Sequence, residues 1–189
     1  MAAPRKDDVR KLILESTEEL LKDKAFADIS LSGIAEKAGI SKGTLYYHFR
    51  NREDILFALM DDYLDRQWKD LNRWITDSSK DTSLPRLIKY VLERDTATAA
   101  DMRFHFFQEA AAGNETVRNK LLERYVEFQK LIAKLIEERA EGADGTYLSW
   151  LALIVSDGLL MHKLMGNTEI DTSLFIRKTE DTLKAILGN

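Results

Sequence analysis

Residues 30–52 read SLSGIAEKAGISKGTLYYHFRNR, and the fold follows from how that stretch is punctuated. Ser30 offers a hydroxyl to cap a helix carrying Ile34, Ala35 and Ala38. Gly39 ends that helix, because glycine accepts the left-handed conformation in which helices often terminate. Ser41 caps a second short helix, in which Leu45 and Phe49, four residues apart, share one buried edge. The four rings from Tyr46 to Phe49 cannot all face one core from a helix, so at least two are expected at the surface. Ala35, Gly39 and Gly43 are expected at the crossing of the two helices, with Ile34, Ile40, Leu45 and Phe49 in the core beneath. The outer face then holds Lys42, Thr44, Tyr46, Tyr47 and His48, all hydrogen-bond donors. Two short helices joined by a tight turn, the second with a donor-rich outer face, form a helix-turn-helix suited to a DNA major groove about 12 Å wide.

Outward from this pair the chain reads as helical throughout. Val9, Leu12, Ile13, Leu20 and Leu21 recur with a 3.6-residue period and predict a first helix from about Asp7 to Asp23. Beyond the pair, apolar residues from Ile55 to Ile75 describe one long helix, broken by DSSKDTS at 77–83. Pro85 fits the first turn of the next helix, which carries Leu87, Ile88, Val91 and Leu92. A short helix from about Asp101 to Ala112 closes at Gly113, and Asn114 caps a long one running through Ile136. After the loop EGADG, Thr146–Leu164 is apolar on almost every side, so a helix there must be covered all round. A last amphipathic helix spans about Ser173 to Leu187. Strand signals are nearly absent, so the expected fold is all-α with about nine helices.

The 189 residues, 44% hydrophobic, suffice for a substantial core. Net charge is −4, unevenly spread: residues 1–52 hold ten Lys/Arg against eight Asp/Glu, the remainder eighteen against twenty-four. From Lys37 to Arg52 stand four basic residues, Lys37, Lys42, Arg50 and Arg52, and no acidic one, which fits either a solvated face or a DNA-facing one. With no cysteine, and with His48, His105 and His162 far apart in sequence, neither a metal site nor a thiolate nucleophile is expected. No Gly-rich phosphate loop or nucleophile elbow is present either, so no catalytic residue and no cofactor is expected. MAAPRKDD lacks the apolar run of a signal peptide, and the longest apolar segment, Tyr147–Val155, is too short to span a bilayer. A cytoplasmic protein without membrane partners is the expectation.

Over about residues 9–56 the chain resembles the DNA-binding domain of the TetR family of one-component bacterial transcriptional regulators. The resemblance rests on the first helix, F-x-x-I-S, then I-A-x-x-A-G-I-S-K-G-T-L-Y-Y-H-F and R-N-R-E-D-I-L. Two positions depart from the pattern. Ala25 stands where the family usually has glycine, and a left-handed alanine there would cost about 1 kcal/mol. Gly33 stands where the family often has a polar or charged residue, beside Ser32, so base contacts from that helix are expected to be sparse.

The resemblance implies a helix-turn-helix domain over residues 1–52 and a larger helical ligand-binding and dimerisation domain over 53–189. It implies phosphate contacts from Ser30, Tyr47, His48 and Arg52, and base-edge or thymine-methyl contacts from Ser32, Lys42, Gly43, Thr44 and Tyr46. Ser30, Ser41 and Arg52 also stand at three helix starts, where free N–H groups and the helix dipole favour an anion. Helices near 146–164 and 173–187 are expected to form a four-helix bundle with a second copy, giving a homodimer on a palindromic double-stranded operator.

An unidentified small, apolar or aromatic effector is expected to release the DNA by selecting a conformer in which the Glu53–Thr76 helix tilts, and repression is the family's commoner behaviour. Candidates to line its cavity are Trp68, Tyr90, Phe104, Phe107, Tyr125, Phe128, Trp150 and Met161, although aromatics at helical spacing are more often plain core. Gln108, Gln129, Asp157 and His162 are the candidate orienting groups. Asp157 and His162, inside the most apolar helix, must pair with each other or another helix, face solvent, or meet a ligand. Two rival readings are a regulator controlled by a protein partner without a small ligand, and a helical enzyme. On operator variants, Lys42→Ala is expected to relax preference at one base pair, whereas Tyr47→Ala weakens binding to all sequences with little change in salt dependence. Unchanged preference after Lys42→Ala would overturn that assignment.

Overall fold

The computed structural model describes residues 6–24, 26–93 and 100–187. Among them the chain runs α1 (Lys6–Leu21), a 3-10 turn (Phe26–Asp28), α2 (Leu31–Lys37), α3 (Lys42–His48), α4 (Arg52–Thr76), α5 (Leu84–Glu93), α6 (Ala100–Ala111), α7 (Glu115–Glu137), α8 (Gly145–Leu164) and α9 (Thr172–Leu187), with no strand. The all-α expectation holds. Helix starts fall near the expected caps because those side chains occupy otherwise orphaned N–H groups. Ser30 and Ser41 each accept from the third residue onward, Gly33 and Thr44, at 3.0 Å. Asn114 and Asp144 do the same for Val117 and Tyr147.

The turn between α2 and α3 is closed by backbone alone. Gly39 N–H donates to Glu36 and Ile40 N–H to Ala35, the paired bonds of a Schellman ending, with Gly39 at φ 65°. Four residues, 38–41, thus end one helix and start the next. Gly43 corrects the sequence reading: it lies exposed, and a Cβ there would meet only Ser41 Oγ at 3.8 Å, so it does not serve a helix crossing. Of the small residues expected there, Ala35 is buried, whereas Gly39 serves the φ of the turn and has open space around it. Ala25, where a strained turn was expected, lies outside the described residues.

Two compact units emerge. One gathers the described residues up to Asp65 together with Asp101–Arg118. In it α1 packs on α2 and α2 on α3, and Ile13, Ile34, Leu45, Phe49, Ile55 and Leu59 are buried. The same unit includes α6: the Tyr63 and Phe106 rings meet at 5.8 Å, and His105 Nε2 lies 3.0 Å from the Leu21 carbonyl at the end of α1. By compactness this head therefore takes in more than residues 1–52.

The second unit comprises the described residues of Arg66–Ala100 and Asn119–Asn189. Leu71, Leu87, Val91, Phe128, Ile132, Ile136 and Leu153 form its main core, with Trp74 stacked on Tyr90 at 4.9 Å. A smaller cluster of Leu92, Leu159 and Ile176 joins α5, α8 and α9.

A buried carboxylate ties α9 to α5. Glu180 lies 3.0 Å from Arg86, 2.9 Å from Lys89 and 2.6 Å from Lys184. The hydrogen bond from Lys184 holds its carboxyl below the usual glutamate range against the effect of burial, with Lys89 and Arg86 assisting. Removing the charge strands three cations that keep partial solvent access, so Glu180→Gln is expected to cost about 2 kcal/mol at pH 7. Because the folded carboxyl titrates low, its contribution is complete above the unfolded glutamate value of about 4.3 and is lost as pH falls through the lower folded value. Denaturant titrations of wild type and variant should therefore converge as pH drops below about 4. An equal gap at pH 7 and pH 3 would contradict this role.

Candidate nucleic-acid interface

The outer face of α3 is built by exclusion. Leu45 and Phe49 are buried at 1% and 4% exposure, which turns Tyr46 and Tyr47 outward at 54% and 71%. His48 is half-buried, its ring meeting Tyr47 edge-on at 5.3 Å. Lys42 and Gly43 are exposed at the start of the helix, and half-buried Thr44 places Oγ1 2.8 Å from Ser41 Oγ. Ser30 and Ser32 lie exposed at the start of α2. Since Ser30 Oγ accepts from Gly33, its hydroxyl hydrogen remains available to donate. A Cβ at Gly33 would sit 3.4 Å from that same oxygen, an ordinary contact, so no local crowding dictates glycine.

The basic residues counted in the sequence are not equivalent in space. Lys37 Nζ lies 2.7 Å from Glu19 Oε2. This hydrogen bond, reinforced by charge attraction, lowers the Glu19 carboxyl and raises the Lys37 ammonium from their usual values. Lys37 is therefore neutralised by a residue of α1 and leaves the basic face.

Arg52 is half-buried, its guanidinium 5.1 Å over the Phe26 ring and Nη1 3.5 Å from the Ile29 carbonyl. The start of α4 differs from those of α2 and α3. Asn51 accepts from Asp54 N–H at 2.8 Å, the Asp54 carboxylate accepts from Arg50 N–H at 3.1 Å, and Glu53 and Asp54 fill the first turn. That end carries its own anions, so the expectation that all three helix starts would attract phosphate alike is corrected. Arg50 and Arg10 are exposed cations at the other end of α3, and Arg10 lies 5.4 Å over the Phe49 ring. Sequence reading passed over Arg10 because a contact 39 residues apart in the chain leaves no local signal.

The effector candidates divide between the units. Phe104, Phe107 and Gln108 belong to the head, with Arg103 packed 5.6 Å over the Phe107 ring. In the second unit Trp68 and Met161 are exposed, and Phe128 lies in the main core with Tyr90 and Trp150 packed against it. The polar candidates are engaged: Tyr125 donates to Asp157 at 2.7 Å, Gln129 to Ser149 at 2.8 Å, and His162 Nδ1 lies 2.9 Å from Asn167 Nδ2. Asp157 thus pairs with another helix, and His162 with the loop that follows its own. Leu92, Ser156, Leu159, Lys163 and Ile176 border a cavity of about 20 Å³ that none of the twelve candidates lines. That is room for about one water molecule.

Among the described residues no group of three or more His, Asp or Glu side chains could hold a metal ion, and no helix is long and apolar enough to cross a membrane.

Residues 13–59 match the family described as bacterial regulatory proteins, tetR family. The regulator EthR of Mycobacterium tuberculosis is 43% identical over 60 residues, which cover 32% of this chain and 28% of that protein's length. The Bacillus subtilis regulator YfiR, uncharacterised, is 25% identical over 192 residues, covering 96% of this chain and 93% of its own. A transcriptional regulator of Saccharomonospora viridis, solved in complex with choline, superposes with a TM-score of 0.76 at 19% identity, covering 94% of this chain and 96% of that one. The head carries the family's sequence over the same residues that build the outward face of α3, and the whole chain has the fold of such regulators. Residues 13–59 thus carry the sequence pattern of the tetR family of bacterial regulatory proteins.

Proposed function

We propose that this chain is a ligand-responsive transcriptional regulator, a repressor, that binds a palindromic double-stranded DNA operator as a homodimer and leaves it when a small apolar or aromatic effector binds. DNA binding is assigned to residues 1–52, through Ser30, Ser32, Lys42, Gly43, Thr44, Tyr46, Tyr47, His48 and Arg52. Effector binding and dimerisation are assigned to 53–189.

The observation that carries the dimer is a stripe on α8. Tyr147, Leu151, Ile154, Met161 and Met165 are exposed, at 61%, 44%, 63%, 40% and 64%. With exposed Gly158 between Ile154 and Met161, they recur at alternating intervals of four and three residues, the spacing of a helix-packing seam. The opposite face, with Ala152, Leu153, Leu159 and Leu160, is buried within the chain. α9 adds exposed Phe175 and Ile186. Apolar side chains in such a row are costly in water, and a two-fold copy of the same face covers them with itself.

Release follows if the effector favours a conformer with different spacing between the two heads, since only differential affinity shifts such an equilibrium. The choline bound to the Saccharomonospora viridis regulator supports a small-molecule site in this fold.

The test is Ile154→Glu in the full chain. Ile154 is largely exposed within one chain, so the variant should keep its helicity and unfold near the wild-type temperature. Light scattering should give about 21.7 kDa where wild type gives twice that, and affinity for DNA selected by wild type should fall about 100-fold or more as two linked half-sites become independent. A monomeric wild type, or a variant that stays dimeric with unchanged affinity, would contradict the proposal.

A further inference from the structure

We propose that Arg10 of α1 is a DNA-contacting residue outside the helix-turn-helix motif, gripping a backbone phosphate at the C-terminal end of α3. The assignment rests on the DNA-binding reading above. α1 turns Val9, Ile13, Leu14 and Leu21 inward and leaves Arg10 exposed. An exposed arginine at this point would ordinarily wander in solvent. Here its guanidinium carbon lies 5.4 Å over the ring of Phe49, the buried residue that caps α3 directly after Tyr47 and His48.

The cation–π contact places the guanidinium carbon over the ring without consuming its N–H donors in hydrogen bonds to the ring, and a phosphate can accept from two of them at once. The ring also restricts the side chain beforehand, so less entropy is lost on contact.

The cations around the head separate Arg10 from its neighbours. Lys37 is paired with Glu19, and Lys11 lies 3.5 Å from Glu15. Arg52 is also stacked on an aromatic ring, but its Nη1 is directed to the Ile29 carbonyl. Among the described residues Arg10 has no carboxylate partner.

The placement also fits the groove. α3 has seven residues, a length of about 10 Å, close to the roughly 12 Å width of the major groove. Lys42 stands at its start, and Arg10 with Arg50 at its end. With Lys42 directed to a base edge, the cations at the far end of α3 are the ones placed to meet the phosphate wall there, which fixes the register of the helix as well as its affinity.

The test uses the full-length protein and a duplex enriched by wild type from a random pool, with affinity measured across a potassium chloride series. Arg10→Ala is expected to bind about tenfold more weakly at 100 mM salt with unchanged base preference, and to lower the slope of log affinity against log salt by about 0.9 per bound protomer. Arg10→Lys should keep the slope and lose part of the affinity, and Lys11→Ala should behave as wild type. A wild-type slope in Arg10→Ala overturns the proposal. That holds also where affinity falls together with the unfolding temperature, the mark of a stacking role confined to the fold. If wild type enriches no duplex, the DNA-binding reading fails and takes this assignment with it, an outcome distinct from enrichment with an indifferent Arg10.

Discussion

Ending one helix and beginning another within four residues leaves unpaired carbonyls on one side and unpaired N–H groups on the other, and everything the head does depends on how residues 38–41 satisfy them. Gly39, at φ 65°, lets the backbone close on Glu36 and Ala35, and Ser41 closes on Thr44. A side chain with a Cβ at residue 39 would resist the left-handed conformation. With the turn fixed, Leu45 and Phe49 are held in the core and α3 has no freedom left in rotation. Tyr46 and Tyr47 then face outward by geometry, since burying 45 and 49 on one side of the helix turns 46 and 47 away from the core.

The second unit is organised around the complementary problem, too much apolar surface for one chain to bury. α8 buries Leu153 and Leu160 on one side and exposes Ile154 and Met161 on the other. Its polar residues are accommodated rather than merely tolerated: Ser149 accepts from Gln129, and Asp157 accepts from Tyr125. Glu180, buried on α9 among Arg86, Lys89 and Lys184, fastens α9 to α5. The proposed dimer face is thus carried by helices that are each anchored from behind, as an interface requiring shape complementarity needs.

How much of this was legible in the sequence depended on range. Caps and the glycine stop act over three or four residues, so Ser30, Gly39, Ser41 and Asn114 marked the helix ends where the structure has them. The all-round apolar character of 146–164 was equally plain, because composition alone reveals it. Pairings across the fold were not. Lys37 read as part of a basic face, yet Glu19 of α1 neutralises it. Gly43 read as a crossing residue, yet it faces solvent. The membership of α6 in the head, the Glu180 cluster and the Arg10–Phe49 stack all join segments far apart in the chain. The local periodicity of one helix carries no record of such partners.

The central claim is that two copies of this head read DNA together, related by a two-fold axis. Sequencing the duplexes that the wild-type protein retains from a random pool tests it most directly. The account predicts an inverted repeat whose half-site centres lie one helical turn, about 10.5 base pairs, or a multiple apart. Enrichment of a single unrepeated site or a direct repeat, or no enrichment, would contradict it.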